Sequence, residues 1–426
     1  MDKLLDGVQY VLNLGPTVIL PIAILIIGMI FGTGFKKAFR SGITIGIGFV
    51  GINLVINLLV TNLGPAAQQM VERFGLNLTI IDAGWPSAAA ASWASPVAAI
   101  LIPICLIVNL LLIFFRITKT LDIDIWNYWH FIAAGATGYV VTGGNWWFAI
   151  LCAILYEMAV LIIADKTAPM VEQFYGLKGI SMPTGSTAAF GLIGIPIGWV
   201  VGKIPGLRNL HADPESIQKR FGIFGEPMMM GLILGIGIGL LAGYDVGEVF
   251  QVGISMAAVM LLMPRMVKIL MEGLIPISEA AREFMKSKFK GRELYIGLDA
   301  ALSVGHPAVM STALMLVPIT LLLAVILPGN RVLPFGDLAT IPFYIAFIVA
   351  SRKGNIVQSL ITGTIVIAFS LLMATNFADT HTAMMNGADF KMPDGATKVS
   401  SLDLGGNFLN WLILKFSEGY QAIFGK

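Results

Sequence analysis

The amino-acid sequence predicts an all-α polytopic membrane protein, an inverted repeat of about five spans in each half with re-entrant hairpins, on three observations. The chain has 426 residues, 57% of them hydrophobic and 12% charged, against roughly 25% charged in an ordinary soluble protein. Near-uncharged apolar stretches long enough to cross a bilayer recur along it. Polar and proline landmarks of the first half also return in the same order in the second half.

Leu4, Leu5, Val8, Val11 and Leu12 share one helical face, which suits either an interfacial helix along the membrane or an extension of the first span. The first apolar run, 16–31, follows no short basic region and precedes no small-residue cleavage site, so it is a retained helix and not a signal peptide. Further spans are expected at 43–60, 98–115, 146–163, 228–243, 308–327 and 356–375. Lys36, Lys37 and Arg40, then Arg116 and Lys119, then Lys203, Arg208, Lys219 and Arg220, mark cytoplasmic stretches by the positive-inside rule. Arg265, Lys268, Lys286, Lys288, Lys290 and Arg292 mark another, whereas 62–64 and 243–248 read as short external loops without Lys or Arg. The N-terminus is then periplasmic.

The apolar run 186–201 is flanked by cytoplasmic charge at both ends, Asp165 and Lys166 before it and Lys203 after it. A single span cannot begin and end on one side. The Pro, Gly, Ser and Thr content of Met182-Pro-Thr-Gly-Ser-Thr fits a re-entrant or discontinuous element lining a cavity.

Gly42 returns as Gly253 and Glu72 as Glu283, both 211 residues on; Pro103 returns as Pro318, Asp124 as Asp337 and Asn145 as Asn355, with small changes of offset. Five crossings in the first half make the second run inverted, as in alternating-access transporters. The divisions expected are 1–75 and 226–292 as scaffold parts with amphipathic helices, 76–202 and 293–426 as core parts, and 203–225 as a cytoplasmic linker.

Ionisable groups at membrane depth are functional candidates because burying them is costly. Asp82, Trp85 and Pro86 lead into the small-residue run 87–95, and Asp299 leads through Ser303 and Gly305 to His306 and Pro307. Both segments read as helical hairpins whose tips turn backbone amides and the polar side chains of Asp82, Asp299 and His306 toward a ligand, with helix capping by the aspartates as the alternative. Asn127 and His130 share a helical face among aromatics, a platform suited to a sugar or polyol; Trp126 and Trp129 themselves read as an interfacial aromatic belt. Asp337 is the repeat partner of Asp124, Thr184 and Ser186 offer hydroxyls from the central dip, and Glu157 has no obvious partner. His211 and His381 fall in polar segments and read as solvated.

Cys105 and Cys152, the only cysteines, both sit in apolar runs, which leaves neither a disulfide framework nor a metal cluster. No metalloprotease motif or phosphate loop occurs. No catalytic residue, metal, cofactor or nucleic-acid partner is expected of this chain alone.

The strings Gly46-Ile-Gly-Phe-Val-Gly51, Asn62-Leu-Gly-Pro-Ala-Ala67, Asp82-Ala-Gly-Trp-Pro86, Asp124-Ile-Trp-Asn127, Gly225-Glu-Pro227, Gly297-Leu-Asp299 and Leu333-Pro-Phe-Gly-Asp337-Leu-Ala-Thr340 resemble the galactitol-type IIC permeases of the phosphoenolpyruvate-dependent phosphotransferase system, within the ascorbate-galactitol superfamily. The resemblance covers nearly the whole chain in order. It implies a homodimer in the bacterial inner membrane, with a scaffold holding a mobile core that carries galactitol or a similar polyol by an elevator-type motion. It also implies a separate cytosolic IIB protein, charged on a cysteine by IIA, that phosphorylates the solute at the inward face. Thr184 stands where galactitol-type members carry His, and the chain stops at Lys426 where they continue into a further helix. An ion-coupled secondary transporter on the same scaffold is the alternative function.

Overall fold

The computed structural model describes residues 21–22, 25–26, 28–75, 78–207, 210, 227–288, 294–334, 336–387 and 398–425. The amphipathic reading of the N-terminus, His211 and nearly all of the central linker lie outside these residues.

The described chain is mostly helical. The first long helix, α1 (Phe35–Arg73), runs unbroken for 39 residues with Pro65 inside it. At 1.5 Å per residue this is about 58 Å, far more than the ~30 Å hydrocarbon core, so span and amphipathic segment form one rod. The expected loop at 62–64 is therefore corrected: those residues continue the helix. The same fusion recurs in α8 (Val246–Lys288), 43 residues long. α7 (Pro227–Ala242) precedes it across the short expected turn, and α1, α7 and α8 pack chiefly on one another.

The remaining helices are α2 (Gly84–Ala94), α3 (Ala98–Phe114), α4 (Tyr128–Val141), α5 (Trp146–Tyr175), α6 (Gly185–Val201), α9 (Ala301–Val304), α10 (Pro307–Ile326), α11 (Ile341–Ser351), α12 (Ile356–Gly387) and α13 (Phe408–Phe424). Among the described residues α5, α10 and Ile356–Asn386 of α12 are long and apolar enough to span a membrane. The dip in the sequence resolves into an extended approach at 180–184 and then the 17-residue α6. α5 starts on the Asn145 side chain, which accepts the Phe148 amide, and stops at Gly176 in the left-handed region, an N-cap and a glycine stop of the usual kind.

The all-helical expectation missed six short strands: β1 (Ile80–Asp82), β2 (Thr120–Asp122), β3 (Ile180–Ser181), β4 (Tyr295–Gly297), β5 (Val332–Leu333) and β6 (Lys398–Ser400). They form two parallel three-stranded sheets, β5-β1-β6 and β2-β4-β3. Each sheet takes its central strand from one half of the chain and both outer strands from the other. Ile80 pairs with Val332 and Lys398, while Ile296 pairs with Leu121 and Ile180. Buried backbone groups between broken helices must be hydrogen-bonded somewhere, and these strand pairs supply the partners. The two halves are thereby interlocked at the places where their helices break.

Candidate functional site

Every strand in the two sheets points toward a helix start, so the chain leaving each strand brings polar side chains to a common tip. At the β5-β1-β6 tip, Asp82 Oδ1 accepts the Gly84 amide (3.1 Å) and Oδ2 accepts the Asp337 amide (2.9 Å). Asp337 reciprocates: Oδ1 accepts the Trp85 amide (2.7 Å), and Oδ2 accepts both the Ser401 hydroxyl (2.6 Å) and the Asp403 amide (3.0 Å). One carboxylate thus ties together the ends of all three strands with charge-assisted hydrogen bonds, roughly twice as strong as neutral ones. The turn is tight enough that Gly84, at φ +77°, and Gly336 lie backbone to backbone; a Cβ on either meets main-chain atoms of the other.

At the β2-β4-β3 tip, Asp124 Oδ1 accepts the Trp126 amide (3.1 Å) and Oδ2 the Asp299 amide (3.1 Å), and Asp299 Oδ1 accepts the Ala301 amide (2.6 Å). Asn127 donates to Asp122 Oδ1 (3.0 Å) and accepts the Thr184 hydroxyl proton (3.0 Å), while the Thr184 oxygen accepts the Ala300 amide (2.7 Å). Trp85 of the first tip meets Trp126 of the second edge to face, ring centroids 5.6 Å apart.

Between the tips stands His130 of α4, 2% exposed. Trp129 lies against its ring at 3.6 Å, and Gly185 packs so closely that a Cβ there meets both the imidazole and the Tyr156 hydroxyl. Its Nε2 is 3.2 Å from the Ser186 hydroxyl and 3.6 Å from Asp403 Oδ1. Asn407, the N-cap of α13, donates to the Tyr156 hydroxyl (3.0 Å) and to the Gly185 carbonyl (3.2 Å). Asp403 links the β6 end to the site, its amide held by Asp337 and its side chain facing His130. Tyr344, stacked on Phe190 at 4.1 Å, lies in the field of Asp337 and Asp403 beside Thr340.

Buried polar atoms are nearly always hydrogen-bonded, and those that are not call for an explanation. Here His130 Nδ1 and Asp403 Oδ1 have no hydrogen-bond partner among the described residues, and the Tyr344 hydroxyl lacks one of good geometry. The three offer acceptors and a donor to a small polar ligand carrying several hydroxyls. Among the described residues no group of His, Cys, Asp and Glu is arranged to hold a metal ion.

The fold therefore gathers most of the residues singled out in the sequence. Asp82, Trp85 and Asp337 meet at one tip, Asn127, Thr184 and Asp299 at the other, and His130 and Ser186 lie between. His306 stands apart: its Nδ1 accepts the Ala308 amide (3.2 Å) as the N-cap of α10, with Phe174 and Tyr175 beside the ring. Two sequence readings are corrected. Trp126 and Trp129 are 7% and 2% exposed and form interior walls, not a belt facing lipid. His381 is fully buried in α12; polar neighbours in sequence hid its position on the inward face of the helix. Glu157 is fully buried beside the Cys105 thiol.

Asp403, Ser401, Asp122, Tyr156, Asn407 and Tyr344 escaped the sequence reading. For Asp403 a signal existed: it is the one charged residue in 399–414, directly ahead of an apolar helix.

Comparison with known proteins gives the family of the chain. Residues 10–395 match the EIIC-GAT family model, described as the PTS system sugar-specific permease component. The chain is 43% identical over 410 residues to the "PTS system galactitol-specific EIIC component" of Escherichia coli strain K12, covering 96% of this chain and 90% of that protein. It is 40% identical over 405 residues to a "Putative permease IIC component" of the same strain, covering 95% and 92%.

Proposed function

This chain belongs to the EIIC-GAT family of phosphotransferase-system sugar-specific permease components, and we propose that it binds galactitol or a close polyol between the two sheet tips and delivers it for phosphorylation by a separate IIB protein. As an EIIC component it is the transporting membrane subunit and not a catalytic enzyme on its own. The observation that carries the reading is the pairing of unsatisfied polar atoms, Asp403 Oδ1 and His130 Nδ1, with a wall of aromatic rings around them. A polyol presents hydroxyls that donate and accept, and CH faces that rest on aromatic surfaces. Filling those two atoms removes a desolvation penalty of about 1–3 kcal/mol each.

The two halves are proposed to be inverted repeats. Matching strands start at 80 and 295, 120 and 332, and 180 and 398, displacements of 215, 212 and 218 residues, and the mutual insertion of central strands fits a two-fold relation. Helices α1, α7 and α8 are the scaffold, and the helices around the sheets are the core that moves in an elevator-type cycle. The assembly is a homodimer in the inner membrane, with the N-terminus on the periplasmic side and IIA and IIB in the cytosol.

The test is uptake of labelled galactitol in cells without a galactitol system, expressing this chain with and without IIA and IIB. Phosphorylated product that accumulates only with both partners supports the proposal. Gradient-driven accumulation of free galactitol without them contradicts it.

A further inference from the structure

The charge in the buried core is one-sided. Seven carboxylic side chains are buried among the described residues, six aspartates at the tips and Glu157 behind them, and no lysine or arginine is buried with them. His130 is the basic group between the tips. Helix N-termini ordinarily provide a second means of pairing an anion. At three of the helical turns that open beside the site the amides are already taken by protein carboxylates: Gly84 and Trp85 by Asp82 and Asp337, Trp126 by Asp124, and Ala301 by Asp299; α6 opens beside His130 without a side-chain cap from Thr184. The open polar atoms are led by an acid, Asp403 Oδ1, 2% exposed and without a hydrogen-bond partner.

From this arrangement we infer that the site sorts its ligands by charge, taking uncharged polyols, taking polyols bearing an ammonium group more tightly still, and rejecting those bearing a carboxylate or a phosphate. The inference rests on the polyol-binding reading above. An anion entering the site gives up its water and meets no lysine or arginine in return, with His130 already facing Asp403, so its desolvation is poorly compensated. An ammonium group meets a carboxylate oxygen with capacity to spare, a charge-assisted contact.

Calorimetric titration of the purified full chain tests this with ligands of one shape and three charges: galactitol, 1-amino-1-deoxygalactitol and galactonate, with galactitol 1-phosphate as a fourth. Like-charge juxtaposition across a binding surface is costly enough that galactonate and the phosphate ester are expected to bind at least roughly 100-fold more weakly than galactitol. The amine is expected to bind at least about 10-fold more tightly. Substituting Asp403→Asn is expected to shrink the ratio of amine to galactonate affinity by about 10-fold, whereas Thr184→Val leaves that ratio unchanged. Galactonate binding within threefold of galactitol, or an amine binding no more tightly than galactitol, overturns the inference while leaving polyol binding intact. Absence of galactitol binding itself overturns the polyol reading instead. The ligand series on the unmodified protein decides the matter even if a variant fails to fold.

Discussion

The tips of the two sheets share a device: an aspartate at or just beyond the end of one strand accepts the amide of an aspartate following its neighbour, Asp82 from Asp337 at one tip and Asp124 from Asp299 at the other. They part company three residues beyond the third strand. After β3 that residue is Thr184, whose hydroxyl both accepts the Ala300 amide and donates to Asn127. After β6 it is Asp403, whose backbone amide is held by Asp337 while its side-chain oxygen Oδ1 has no hydrogen-bond partner. At one tip the position after the strand is bonded on both sides, with Asp122 Oδ2 behind it the unpaired oxygen, and at the other the corresponding side chain is left open toward His130. Structural cohesion and ligand recognition are thus separated onto neighbouring positions of similar geometry, and substitutions at the two tips should fail in different ways.

The largest effect is expected from Asp337→Ala. It strips acceptors from the Trp85 amide, the Asp403 amide and the Ser401 hydroxyl, and each buried donor left unpaired costs about 1–3 kcal/mol. Thermal unfolding should shift by several kcal/mol, and galactitol binding should disappear with the fold of the tip. Next comes Asp403→Asn. The backbone hydrogen bond to Asp337 survives, so unfolding should move by less than about 1 kcal/mol, whereas galactitol affinity measured by calorimetry falls by roughly 10- to 100-fold, the worth of a hydrogen bond to a charged acceptor. Thr184→Val reverses that pattern, with a stability loss of about 1–3 kcal/mol and affinity within threefold of the unmodified protein. The smallest effect is expected from His306→Ala, which removes a helix cap worth about 1 kcal/mol and leaves galactitol affinity within twofold; a larger affinity loss brings the hairpin of α9 and α10 into the site.

The helix breaks after Asp82 and Asp299 were legible because their chemistry is local. Runs of small residues, a proline at a helix start and an aspartate ahead of it mark a chain break wherever they occur. Asp124 and Asp337, singled out in the sequence, each sit at a sheet tip. The strands were not legible, since two or three residues carry no periodicity and Ile80 becomes a strand only by pairing with residues some 250 and 318 positions away in sequence. His381 was misread for a related reason: Asp379 and the threonines around it suggest a solvated segment, but only the outward face of α12 meets the exterior. Asp403 became significant through His130, a partner from the other half of the chain.

The most direct test is a cryo-electron-microscopy map of the dimer or monomer with galactitol bound. Solute density is expected between the sheet tips, with hydroxyl oxygens about 2.7–3.0 Å from Asp403 Oδ1 and from the His130 imidazole, and with a carbon face against an aromatic ring. Density beside His306, or anywhere that leaves both Asp403 and His130 without contact, contradicts the open-tip site.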